Sequence, residues 1–485
     1  MSSIKKNFFY NIILSVTQVI FPLITFSYVA RVIEPVGIGT VSFVESICRY
    51  AILLAALGVP VYGVREVAKL KDDKEKLSKL CSELLVIHFV ATLFISLIYL
   101  ITVLSIAKLN HNLDYYLLGL LMVFSNIFIM EWYFQGIGDF KYITLRTLIV
   151  RIITTFSVFF LVNNTNDGIN FFLLIVLTNI INGIINFSHA KRSLNLSLSF
   201  GYKDLNKHLS PLFFIFSTTI SISIYVLLDT IMLGFLADET AVGLYSMALK
   251  ISKVPMLFVG ALGLVLIPQL SSSYHQSDLE NFKILILKSL NFVITFSFPV
   301  IFFVFGISNE LLFVFAGEQY VDAAYTLKIL SVVVLLIGLS NVFGLQILTP
   351  MGKDRYLTYS VFVGTIISLI LNYILIPLYQ ENGAAITNII AEFFVTVATL
   401  YFALKFIKFD FDFIFIIKSL VLSIPICFFS KVWSYLNTNH LIVLSGTSLM
   451  TGIYFVLIQV YLIRNPIIVE LKDKLTQKIW PNTII

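Results

Sequence analysis

Ten ionisable side chains fall inside stretches of sequence that are otherwise apolar: Glu45, Arg49, His88, Glu131, Arg151, Asp229, Lys250, Lys253, Lys328 and Glu392. A charge at the centre of a bilayer costs roughly 2.5–3.5 kcal/mol on insertion scales, so each must face protein or water and have a partner or a task. Glu45 and Arg49 stand one helical turn apart and can meet on one face. They are either a self-neutralised pair or an arginine held ready for an anion. Lys250 and Lys253, three apart, also share a helix face, and like charges do not neutralise each other, which points to an anionic partner. Asp229, in YVLLDTIMLGF, is the protein group best suited as counter-ion to that lysine pair; as a lone carboxylate it could alternatively carry a proton or a sodium ion. Glu131, His88, Arg151 and Lys328 are single polar groups that either glue helices together or serve function, and Glu392 is similarly ambiguous; of these, Glu131 and Glu392 are also candidates for carrying a coupling ion. Arg31, in YVARVIEP, ends the first apolar stretch as a headgroup contact or an interfacial snorkel.

The elements that must position these groups follow from composition. The 485 residues are 58% hydrophobic and 12% charged, with a mean hydropathy of +0.94, far from a soluble domain. Roughly 20 apolar residues cross the hydrocarbon layer as a helix, and such runs recur with short polar connections between them. Continuous runs exclude a barrel, whose strands would alternate over about 10 residues. Fourteen crossings are predicted, near 8–30, 38–59, 82–106, 115–136, 147–162, 169–189, 211–235, 242–268, 287–307, 323–348, 357–377, 383–404, 413–435 and 440–463. With the N-terminus inside, 24 lysines and arginines fall in inside segments, against only Arg31 and Lys108 outside. Basic residues are retained on the cytoplasmic side of short loops, so both termini of this multi-pass membrane protein are expected there.

The net charge of +6 is mostly this topological signal, and it argues for anionic lipid headgroups rather than nucleic acid. Cys48, Cys81 and Cys427 suggest neither a disulfide framework nor a metal site. No nucleotide-binding glycine loop or nucleophile motif stands out, so neither an ATP-driven pump nor an enzyme is expected, and no resident cofactor. The outside loops are too short for a membrane-embedded glycosyltransferase, polymerase or ligase. A structural scaffold fits poorly with so many intramembrane charges, which leaves a transporter.

The chain also echoes itself. A shift of 204 residues lays EPVGIGTVSF (34–43) over DETAVGLYSM (238–247), so that Gly39 meets Gly243, Ser42 meets Ser246 and Arg49 meets Lys253. Either this is chance, or it relates two pseudo-symmetric six-helix bundles, 1–208 and 209–405. Helices thirteen and fourteen (406–464) then form an appendix, and 465–485 a cytoplasmic interfacial tail. Parallel halves of this kind put a substrate site at their interface and work by alternating access. Pro22, Pro255, Pro299 and Pro425 fall inside predicted crossings and fit bent or broken helices, or are simply tolerated there. REVAKLKDDKEKLSKL (65–80) reads as a charged helical connection on the inside face, and PIIVELKDKLTQKIW (466–480) as an amphipathic segment in the interface plane.

Several blocks in register resemble one family. RVIEPVGIGTVSFVESICRY, LGVPVYGVREVAK, LLDTIMLGFLADETAVGLYSMALKISKVP, FAGEQYVDAAYTLKIL, QILTPMGKDR and LNYILIPLYQENGAAITNIIAE are similar to the corresponding segments of bacterial polysaccharide-repeat (Wzx, O-antigen type) flippases. These belong to the multidrug/oligosaccharidyl-lipid/polysaccharide exporter superfamily, and the likeness spans residues 5–405. The resemblance implies fourteen helices around a central cavity and an undecaprenyl-pyrophosphate-linked oligosaccharide moved to the outer leaflet. It also implies a polysaccharide polymerase and chain-length regulator as partners, and a cationic cavity to which Arg31, Arg49, Lys250 and Lys253 are assigned. Glu45, Glu131, Asp229 and Glu392 are the candidates for counter-ion or for coupling to a proton or sodium ion. A pyrophosphate diester carries about two negative charges, which arginine is suited to bind bidentately. The rival within the superfamily, a multidrug or cation antiporter, predicts a carboxylate-dominated cavity instead.

Overall fold

The computed structural model describes residues 3–196, 202–409, 411–437 and 439–462; the segment read as interfacial, 466–480, lies outside them. Among the described residues every regular element is helical, and ten helices are long and apolar enough to cross a membrane. Large apolar side chains such as Phe160, Phe214 and Tyr373 stand exposed, as befits a surface that meets lipid. The protein is a multi-pass membrane protein. Hydroxyls inside the helices turn back onto their own backbone, as Thr40 does onto Val36, Ser46 onto Ser42 and Thr92 onto His88. This satisfies a donor where water is absent.

The helices group into two compact units. The first holds residues 1–257 and 358–391. Its helices are α1 (Ser3–Ala56), α2 (Val59–Leu70), α3 (Lys74–Ser105), α4 (Ala107–Asn110), α5 (Leu113–Ser125), α6 (Glu131–Ile137), α7 (Phe140–Leu161), α8 (Gly168–Ser193), α9 (Tyr202–Leu236) and α10 (Glu239–Lys253). The second holds residues 258–357 and 392–485. It contains most of α11 (Met256–His275), then α12 (Leu279–Ala316), α13 (Ala324–Ser331) and α14 (Val333–Asn341). The long α15 (Asp354–Phe406) gives its middle to the first unit, and α16 (Phe413–Ser423), α17 (Phe429–Leu436) and α18 (His440–Leu457) complete the second.

Breaks in the long helices fall where the prolines alone do not place them. Pro22 and Pro299 lie within continuous helix, whereas α1 is interrupted at Glu34 (φ 61°, ψ 175°), just before Pro35, and α12 at Ile307. Pro35 then serves as the first residue of a new helical segment, where its missing N–H costs nothing. Pro255 falls at the junction of α10 and α11, and Pro425 opens a short 3₁₀ segment between α16 and α17. At Gln380 (φ 49°, ψ −126°) α15 turns back on itself. The return is so tight that a Cβ on Gly383 would lie 2.2 Å from the Leu375 carbonyl oxygen, so only glycine fits.

The inside connection read from REVAKLKDDKEKLSKL divides between two helices. Asp73 caps α3 by accepting from the Lys76 amide at 3.1 Å. The Lys76 side chain, followed by its amide, holds the Asp73 carboxyl below its ordinary value. Beneath the connection, Val59, Tyr62, Val67, Leu77, Leu84 and Trp132 share one apolar core that docks α2 against α3 and α6. In the second unit, Leu266, Phe282, Leu285, Phe343, Ala403 and Phe409 form the corresponding core between α11, α12 and the end of α15.

Candidate functional site

The residues with the most chemistry converge within the first unit, on α1 beyond its break, α9, α10 and the α15 hairpin. Arg49 donates from Nε and Nη2 to Glu45 Oε1 at 2.9 and 2.6 Å, the contact their spacing predicts. The pair is not sealed: the Arg49 side chain is 53% exposed and that of Glu45 21%. Glu45 lies within electrostatic reach of Lys250 as well, and Lys250 within reach of Arg49 and Lys253. Lys250 Nζ sits 3.0 Å from the centre of the Phe26 ring, whose π face offers a cation an apolar partner. Among the described residues, Arg49, Lys250 and Lys253 therefore share a neighbourhood with Glu45, and Lys253 stands exposed at its edge. Arg31 is exposed at the end of the first segment of α1, across the break from Arg49.

Asp229 is not the counter-ion of the lysine pair. Its Oδ1 accepts from Ser368 Oγ at 3.1 Å and Asn372 Nδ2 at 2.7 Å, and its Oδ2 from Tyr245 OH at 3.0 Å and Asn388 Nδ2 at 2.7 Å. Asp229 is only 4% exposed, so a carboxylate is buried among neutral donors. The α15 hairpin makes this possible. Ser368 and Asn372 are one turn apart on the first arm, and the reversal at Gln380 brings Asn388 back from the second. Both asparagines spend their amide N–H on the carboxylate, while Oδ1 of each is buried without a hydrogen-bond partner. Sequence reading missed all three α15 residues. The signal available was Ser368 and Asn372 at helical spacing in an otherwise apolar run, since neutral polar groups inside a membrane helix hydrogen-bond to something.

The other charges are committed elsewhere. Glu131 accepts from Arg146, a residue counted as part of an inside segment. Helix α7 starts at Phe140, earlier than the predicted crossing at 147, and so takes Arg146 into the interior at 4% side-chain exposure, where it also donates to Asn182 at 3.0 Å. Arg151 donates to the Thr17 carbonyl oxygen at 2.6 Å. His88 is buried with neither ring nitrogen hydrogen-bonded, and Lys328 lies in the last turn of α13. Glu392, in the second unit, is 6% exposed, and its carbonyl accepts from Thr396 Oγ1 at 2.8 Å. A further cluster went unnoticed in the sequence. Glu83, 1% exposed, receives Lys207 at 3.0 Å and His208 Nε2 at 2.8 Å, and the other ring nitrogen of His208 meets Tyr62 OH at 2.9 Å.

An all-helical chain with ten membrane-length apolar helices among the described residues is a multi-pass membrane protein, and known proteins share its fold. A lipid II flippase, MurJ, in an inward closed conformation superposes with a TM-score of 0.72 over 96% of this chain and 99% of its own, at 15% identity. A multidrug resistance MATE family transporter in an inward-facing conformation gives 0.67 over 81% of this chain and 97% of its own, at 13% identity. In sequence, residues 4–274, more than half of the chain, match the polysaccharide biosynthesis protein family, and the chain belongs to it. A relative named "Putative O-antigen transporter" from Escherichia coli (strain K12) is 26% identical over 404 residues, spanning 82% of this chain and 96% of its own length.

Proposed function

We propose that this chain is a flippase that carries undecaprenyl-pyrophosphate-linked oligosaccharide repeat units from the cytoplasmic to the outer side of the bacterial inner membrane, by alternating access, for O-antigen or capsule synthesis. The observation that carries this reading is the gathering of Arg49, Lys250 and Lys253 around Glu45, with the Arg49 guanidinium half exposed. A half-exposed guanidinium already paired to a carboxylate can exchange that partner for a diphosphate with two bonds of equal geometry. Lys250 and Lys253 add charge from a second helix, and Glu45 keeps Arg49 aligned until the anion arrives. Arg31 supplies a further cation toward the outer side. The family membership and the named relative point in the same direction.

Fourteen crossings are supported by the breaks. Two of the ten apolar spans, those holding Glu34 and Gln380, divide in two, and α9 and the α10–α11 pair add one each. Asp229 is the proposed coupling site. A buried carboxylate beside two amide oxygens that lack partners is a hard-oxygen environment, and half a turn of either amide exchanges a donor for an acceptor. A proton or a sodium ion would neutralise the carboxylate there. Glu131 and Glu392 are weaker candidates, Glu131 because Arg146 already holds it. A polymerase and a chain-length regulator would be the partners acting on the exported units.

Replacing Arg49 or Lys253 with alanine, at unchanged membrane abundance, is expected to reduce surface polysaccharide by about tenfold or more, the loss for one charge-assisted contact of ~1.5–3 kcal/mol. Unchanged polysaccharide in both variants would overturn the site. The MATE-like fold keeps a drug antiporter in view; it predicts altered drug susceptibility with polysaccharide intact.

A further inference from the structure

The repeat seen in the sequence meets itself in the structure. Gly39 and Gly243 occupy equivalent places under the 204-residue shift, as do Pro35 and Glu239. A Cβ on Gly39 would fall 1.7 Å from the Glu239 carbonyl oxygen and 3.0 Å from the Gly243 nitrogen. A Cβ on Gly243 would fall 2.0 Å from the Pro35 carbonyl oxygen. Each glycine therefore packs on the residue equivalent to the other's partner, the self-complementary pattern of a two-fold contact. Both segments begin alike. Glu34 interrupts α1 immediately before Pro35, and its equivalent, Asp238, caps α10 by accepting from the Ala241 amide at 2.8 Å.

A third segment joins them. Lys108, on α4, donates to the Ala237 carbonyl at 2.7 Å and the Phe235 carbonyl at 3.4 Å, just beyond and in the last turn of α9, where helix carbonyls lack intrahelical partners. The segments around 35, 108 and 237 are the ones that charge asymmetry assigns to the outer side. Arg49 lies ten residues beyond Gly39 along α1, about 15 Å of helix further in.

We propose that this reciprocal glycine contact, clamped by Lys108, is the outer seal of the transport path: backbone lies on backbone at 35–39 and 239–243, and the seal must part when the cationic cluster opens outward. The inference rests on the flippase reading for its purpose but not for its test. Backbone contact suits a seal that reforms every cycle, because no side chain has to find a rotamer. A single methyl group on either glycine has nowhere to go when it closes.

The test uses the full-length chain with its three cysteines replaced by serine and a reporter cysteine at position 49 (R49C), labelled in spheroplasts with a membrane-impermeant maleimide. G39A and G243A are each expected to raise labelling about tenfold, because a penalty on the sealed state shifts the population to the open one. Matching effects from both are required by the reciprocity. K108A, which removes a partly exposed clamp on two carbonyls, should raise labelling by about threefold. G452A is the control, since a Cβ there meets nothing within 4 Å. Membrane abundance is measured throughout. Labelling unchanged in well-expressed G39A or G243A overturns the seal; if both glycine variants fail to accumulate, unchanged labelling in K108A overturns it. Surface polysaccharide is scored separately in variants that retain Arg49. Raised labelling in a protein whose deletion spares polysaccharide would uphold the seal and sink the flippase.

Discussion

At the residue scale the protein handles intramembrane charge in two ways, by pairing it or by surrounding it with neutral donors. Arg146 and Glu131 illustrate the first. E131Q alone leaves a buried guanidinium short of its partner and is expected to cost roughly 1–3 kcal/mol, less than a fully dry pair, because Glu131 is 37% exposed. E131Q combined with R146M should recover much of that loss, which a double-mutant cycle of thermal unfolding in detergent would measure; additive losses would mean the pair is not coupled. Asp229 illustrates the second. D229N keeps the shape while removing the charge, so it should abolish any rise in Tm on adding sodium chloride over potassium chloride, or any pH dependence of transport. A sodium shift that survives in D229N would move the coupling site elsewhere. Sequence could point to Asp229 as an isolated carboxylate, but not to its partners, because Asn388 reaches it only through the reversal at Gln380.

At the scale of elements, function depends on where helices stop rather than where they run. The hairpin in α15 sets Ser368, Asn372 and Asn388 around one carboxylate, and it depends on the Gly383 backbone lying against Leu375. G383A should therefore lower membrane abundance and, in the protein that remains, disturb the Asp229 site more than the Arg49 cluster. Sodium response and polysaccharide output separate the two effects. By contrast D73A, which removes the α3 cap outside the membrane, is expected to cost about 1 kcal/mol of stability without touching transport; a melting curve and a polysaccharide assay test both halves of that statement. Helix existence was legible from apolar runs, and so were the interruptions at Glu34 and Gln380, which fall in the gaps left between predicted crossings at 31–37 and 378–382; that α12 runs on past its interruption at Ile307 to Ala316 was not.

At the scale of the whole molecule, segments that charge asymmetry assigned to one side do meet one another. Lys79 pairs with Asp204 at 2.9 Å and Glu83 with Lys207, while Lys108 reaches the end of α9. A cytoplasmic location of both termini is testable with reporter fusions. A C-terminal fusion should be active only for a cytoplasmic reporter, and a fusion after Ala237 only for an exported one. The sequence by itself determined the solvent of this protein, its helical class and its family, because those depend on summed hydropathy and motif order along the chain. It also paired Glu45 with Arg49, since one helical turn is a local distance. Only the tertiary structure decided that Arg146 is an interior charge, that Asp229 belongs to α15 rather than to the lysines, and that the two glycine segments close on each other. Those facts turn on helix rotation and on reversals between residues far apart in sequence, and the apolar pattern of a membrane helix constrains neither. Lipid accepts any face that is apolar, so burial alone does not fix which side of a helix turns inward.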